Sequence, residues 1–244
     1  MGRVPDGVAA APGGVPGMAA AGFLIVAGPL GGLFPGGGIR RGSVLAVSGV
    51  TGSMSLLLAL LAGAMADGSW AAVTGVAGVG VEAAALAGVP LGRLIMVPQP
   101  GRCWMQVAAV LMDAVDVAVV CPPARCPPGE ARRLAARARQ RGGVLVVYQP
   151  AGGLAGCRGA PWPDAADFHL QVTGPPSWRG LGQGHGVLGC RLVGVRLAGR
   201  RIGREQAARL WLPGADGRAV PACEVTRRDR AGSLPGVAAG ALAG

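Results

Sequence analysis

The 244-residue chain carries 23 arginines and no lysine, against 12 acids, for a net charge of +11. Half of it is hydrophobic, enough for a full core, yet glycine (45) and proline (20) are abundant and aromatics make up only 4%. The length suits one domain with tails, and the composition is what a GC-rich genome writes. Residues 1–120 hold five Arg and five acids, so the whole excess lies in residues 121–244, with eighteen Arg and seven acids. A half that basic attracts nucleic acid or an acidic protein patch; the same composition also makes a soluble arginine-rich surface.

Six cysteines and two histidines stand at no metal-ligand spacing, and no CxxC pair occurs, so no metal site is expected. Small core thiols in a reducing cytosol are the expectation. No basic leader with a cleavage site opens the chain, and the most apolar stretches, 18–33 and 54–65, are shorter than a membrane span. A cytoplasmic protein with no membrane partner is expected.

Residues 1–20, rich in Gly, Ala and Pro, read as a disordered N-terminal segment. Residues 21–213 read as one folded domain and 214–244 as a flexible tail. Val44–Ser48 is a predicted strand and Ser53–Ala66 an apolar helix. Trp70–Thr74 and Leu94–Val97 are strands, with a short helix over Val81–Ala87 between them. Trp104–Met112 is a helix and Val115–Cys121 a buried strand. Glu130–Arg141 is the clearest amphipathic helix, and Val144–Tyr148 another buried strand. This alternation predicts an α/β fold with a mostly parallel sheet flanked by helices. Beyond residue 165, the segments Asp167–Val172, Val187–Leu197 and Ala207–Leu212 alternate apolar with polar residues and suggest an antiparallel extension.

Residues 42–55, Gly-Ser-Val-Leu-Ala-Val-Ser-Gly-Val-Thr-Gly-Ser-Met-Ser, have the form of a phosphate-binding loop: a strand, a Gly-rich turn and a Ser opening a helix. Gly49, Gly52, Ser53 and Ser55 are the candidate remnant of that loop, with amides able to face a phosphate at the helix N-terminus. Such a loop needs a Lys where Met54 stands. One ammonium–phosphate contact is worth about 4 kcal/mol at an effective dielectric of 20, before desolvation.

In this context the sequence resembles the RecA recombinase family. Residues 30–49 look like that family's Gly-rich entry to its first strand. Ala87–Pro100 is similar to its segment running from a Leu-Gly-Val turn to Gln-Pro. Val115–Val120 resembles the strand leading to the Walker B acid, and Leu145–Gln149 the strand ending in the nucleotide-sensing Gln. The resemblance covers about residues 25–200 and implies a RecA-like P-loop core with Gln149 at the sensor position. Its departures fall in the active site. Met54 replaces the Lys, Cys121 stands at the Walker B acid, and Val76 or Ala77 at the water-activating Glu. Loss of all three argues against ATP hydrolysis, so no catalytic residue and no cofactor are assigned.

RecA-like chains of this kind from GC-rich bacteria resemble the ImuA-type mutasome accessory proteins. That resemblance implies a non-catalytic protein of DNA-damage tolerance and translesion synthesis, induced with the SOS response. Its partners would be the polymerase-like proteins of a mutasome, together with DNA. The alternatives are a divergent P-loop ATPase and a single-stranded DNA-binding RecA homologue. Contact residues for a partner or DNA are expected in two groups. Arg133, Arg137 and Arg141 align at helical spacing, and Arg196, Arg200 and Arg201 follow the long strand.

Overall fold

The computed structural model describes residues 22–122, 125–151, 162–163, 166–181 and 186–222. In chain order the elements are β1 (Phe23–Ile25), β2 (Gly38–Arg40), β3 (Val44–Gly49), α1 (Ser53–Ala64), β4 (Ala71–Thr74), α2 (Val81–Ala87), β5 (Leu94–Val97), α3 (Trp104–Ala114), β6 (Val117–Val120), α4 (Pro128–Arg141), β7 (Val144–Pro150), β8 (Phe168–Leu181), β9 (Gly186–Gly199), β10 (Gln206–Trp211) and β11 (Val220–Pro221). Strands β3 to β11 form one nine-stranded sheet in the order β11-β10-β9-β8-β3-β7-β6-β4-β5. From β8 to β5 the pairing is parallel, and from β8 to β11 it is antiparallel. The predicted mostly parallel sheet, flanking helices and antiparallel extension are what the structure shows.

The apolar runs explain the parallel half. β4, β6 and most of β7 are buried throughout, because helices cover both faces. On one face α1, with Leu56, Leu57, Leu60 and Leu61 buried, packs with α2 and the β1–β2 hairpin. On the other, Ala131, Leu134, Ala135 and Ala138 of α4 join Trp104, Ala108 and Met112 of α3 over Ala46, Val120 and Leu145. Trp162 packs against this second core. The β8–β10 extension is covered on one face only. Leu170, Val172, Val193, Val195, Leu197 and Leu210 point to α1, while Gln171, Arg196 and Arg209 face the opposite way.

At the N-terminal ends of the parallel strands Asp116 joins three segments. Its carboxylate accepts from the Trp70 amide and from Arg41 Nη1, each at 3.0 Å, and its carbonyl accepts from the Val144 amide at 2.7 Å. The strand expected from Val115 begins only at Val117, since Asp116 is taken up by these bonds.

Two boundaries need comment. The expected disordered segment 1–20 lies outside the described residues. The tail drawn from 214 starts too early: Val220 and Pro221 pair with Trp211 and Leu210, so the sheet continues past that point. The alternation rule missed this strand because it is only two residues long.

Replacing Asp116 with Ala should destabilise the fold by about 1 kcal/mol, the cost of leaving a partly buried amide and a guanidinium without this acceptor. Urea unfolding measures this, with the slope expected to stay unchanged.

Candidate functional site

β3 ends at Gly49, three residues turn, and α1 starts at Ser53. The turn depends on glycine at both ends. Gly52 caps α1 at φ 96°, and Gly49 lies at φ 150°. A Cβ on Gly49 would sit 2.9 Å from Cβ of Val172, and one on Gly52 would sit 3.0 Å from a guanidinium nitrogen of Arg191.

Arg191 is the feature that sequence reasoning missed. It lies on β9, far from the loop in sequence, yet reaches the first turn of α1. Its Nη2 donates to Ser55 Oγ at 2.7 Å and its Nε to the Leu212 carbonyl at 2.7 Å. The guanidinium lies 5.1 Å from the ring centroid of Trp178. The residue is only 8% exposed. Among the described residues no carboxylate pairs with it, and burial pulls its pKa below the ordinary arginine value. The alternation of β9 held a signal for it: Val193, Val195 and Leu197 all face the core, and 191 falls on the same side.

The hydroxyls of Ser53 and Ser55 are both engaged within the fold. Ser53 is buried, with its hydroxyl 3.0 Å from that of Tyr148 on β7. Ser55 holds Arg191. Met54, in the place of the Lys, packs against the main core. Gln149 pairs in register with Ser48, and the next pair is Gly49 with Pro150. Cys121, at the end of β6, is buried, and its amide donates to the Thr74 carbonyl at 2.9 Å. Val76 is buried beyond the end of β4, and Ala77 is exposed. Among the described residues no cluster of His, Cys, Asp and Glu could hold a metal. No described helix is long and apolar enough to cross a membrane.

Most of the arginines in the two expected groups pair with acids within the fold. Arg133 pairs with Glu130 at 2.6 Å, one turn earlier on α4. Arg137 and Arg141 both clasp Asp113 of α3, Arg141 Nε at 2.9 Å and Arg137 Nε at 2.8 Å. Arg196 is shared between Glu205 at 3.3 Å and Gln171 at 3.0 Å. Arg201 pairs with Asp167 at 3.2 Å, and Arg200 is exposed in the turn after β9. The helical spacing that aligned the α4 arginines also brought them to the acid on α3, which a single-helix view cannot show.

The hydrogen bonds from Arg137, and then those from Arg141, hold the Asp113 carboxyl down at about 2. Its folded value lies below its ordinary one, so the stability it contributes is full above about pH 4. That stability fades as pH falls toward 2. Because the pair is partly exposed, the contribution is expected to be under about 1 kcal/mol. An Asp113→Asn variant should melt below the native protein at pH 6, and the difference should vanish as the pH approaches 2. Melting temperature against pH checks this.

Comparison with known proteins gives two findings. A 99-residue stretch, 40% of the chain, is 40% identical to the uncharacterized protein Rv3395c of Mycobacterium tuberculosis; it covers 48% of that protein, so the match spans about half the relative's length. The family model of the MT3502 N-terminal domain matches residues 32–153, half of the chain. That match runs from the β1–β2 hairpin through the glycine turn, both helical layers and the end of β7, and on it the chain belongs to the MT3502 N-terminal domain family.

Proposed function

We propose that this chain is a RecA-like protein without ATPase activity, acting in DNA-damage tolerance as a binding platform. In this reading it resembles the ImuA-type mutasome accessory proteins, with a polymerase-like protein as partner and DNA as a further ligand. The observation that carries the non-catalytic part is the seating of Arg191 against Gly52 and Ser55. In a working loop the Ser oxygen would face magnesium and the helix N-terminus would face phosphate. Here a guanidinium donates to that oxygen. A divalent cation brought to the same atom would meet a positive charge within a few ångströms, in surroundings of low dielectric.

Other observations support the RecA-like part. The strand β3 sits inside a parallel sheet, and β7, which carries Gln149, separates it from β6, which leads to Cys121. In this reading Gln149 is the sensor-like residue and Cys121 holds the Walker B position one strand further out. Met54, Cys121 and Val76 or Ala77 then leave the loop without Lys, Asp and Glu.

One observation favours a second reading. Arg191 is a buried cation with no carboxylate partner among the described residues, at the one place where a nucleotide-binding protein needs positive charge. In a divergent nucleotide-binding protein it would replace the missing Lys.

Two measurements separate these readings. Titration calorimetry with magnesium-ATP should give no saturable heat, and phosphate release with magnesium and single-stranded DNA should stay at background. Met54→Lys should leave turnover at background too, because Cys121 cannot place a metal as a carboxylate does. ATP binding that weakens about tenfold or more on Arg191→Met would establish the second reading. Turnover lost on Gly52→Asp would do the same for catalysis.

A further inference from the structure

The outer side of α1 carries a trough. One hollow of about 250 Å³ lies between Ser55, Leu86 and Leu212. A second of about 400 Å³ runs past Gly63 to Arg93 and Arg218. The two share Ala59, Ala87 and Ala219, so they form one continuous depression between α1, α2 and the turn before β11.

The trough exists because small residues meet there. α2 has seven residues, and Ala84 is the one it buries fully. The side chains that α1 and α2 present are mostly alanine, too short to close the gap. Leu86, on the rim, is 55% exposed. At the other end Arg93 and Arg218 are both exposed, and among the described residues neither pairs with a carboxylate. They contrast with Arg133, Arg137, Arg141 and Arg196, each of which pairs with a carboxylate within the fold.

We infer that this trough docks an amphipathic segment of a partner protein, with apolar side chains seated between Leu86 and Leu212 and a carboxylate at the Arg93–Arg218 end. The inference rests on the reading of the chain as a binding platform and names the surface. Charge complementarity selects the chemistry. An apolar floor ending in two guanidiniums with no carboxylate partner among the described residues suits an apolar segment with an acid, which arginine grips by paired hydrogen bonds. It does not suit a nucleic-acid strand, whose phosphates would lie along alanine. The exposed rim argues for a segment of a larger partner, because a small ligand would be enclosed on most of its surface.

The test is selection of helical peptides from a random display library against the full chain, followed by fluorescence anisotropy of the enriched peptides. The enriched sequences should combine Leu, Met or Phe with Asp or Glu one or two turns away. Leu86→Asp should weaken their binding about tenfold or more. Ala83→Trp, which fills the trough without a charge change, should do the same. Arg93→Glu with Arg218→Glu should shift the preference to peptides carrying Lys or Arg. Circular dichroism and melting temperature confirm that each variant is folded; if Leu86→Asp is not, Ala83→Trp carries the test. Enrichment of basic peptides, binding indifferent to these variants, or no enriched peptide would overturn the inference. So would saturation of the trough by dodecanoate in the absence of peptide binding, which would assign it to a small amphiphile. Failure of a polymerase-like protein to bind the chain, with peptide docking intact, would remove the mutasome reading and leave the trough standing.

Discussion

A guanidinium taken out of water at the N-terminal end of a helix faces two costs. It loses hydration, and it sits near the positive end of the helix dipole. Arg191 bears both, and the structure around it is arranged to offset them. Ser55 and the Leu212 carbonyl accept its protons, and the Trp178 ring lies against its face. These contacts bind the antiparallel extension to the first turn of α1. Gly52 must remain glycine to leave the room. The glycine turn between β3 and α1 is thus held in shape by a residue far away in its own chain.

The same view changes the meaning of the +11 charge. Taken as a number, it points to a polyanion. Taken residue by residue, Arg41 is held on Asp116, Arg137 and Arg141 on Asp113, and Arg201 on Asp167, while the net excess, which already discounts the acids, is carried by arginines outside such pairs. Exposed pairs of this kind add little stability, but they reduce the field available to a partner. Arg93 and Arg218 are different, since they border a trough that the small side chains of α1 and α2 leave open. Recognition is therefore expected on the α1–α2 side, where apolar surface meets charge that no carboxylate among the described residues pairs with.

Much of the fold was legible in the sequence. The buried runs Val117–Val120 and Val144–Tyr148 could be little but central parallel strands, and the Ala131–Leu134–Ala135–Ala138 stripe fixed the inner face of α4. The loop was legible too, since Gly49 and Gly52 flank a turn between an apolar strand and an apolar helix. What filled it was not. Arg191 is 136 positions from Ser55, and the contact depends on the length and pairing of β9, which no local pattern encodes. The clasp on Asp113 was hidden for the same reason, because it needs the packing of α3 on α4. The trough was least visible, because it comes from alanines that are unremarkable one at a time.

The central claim is that Arg191 occupies the loop as a resident cation and stays there. Nitrogen-15 NMR of the arginine Nε–H groups tests it most directly, with the Arg191 signal assigned through Arg191→Met. The account predicts that the Arg191 Nε–H is protected from solvent exchange by its bond to the Leu212 carbonyl, with shift and protection unchanged by magnesium-ATP or pyrophosphate. A rapidly exchanging Arg191 signal, or one that moves saturably when either anion is added, would contradict it.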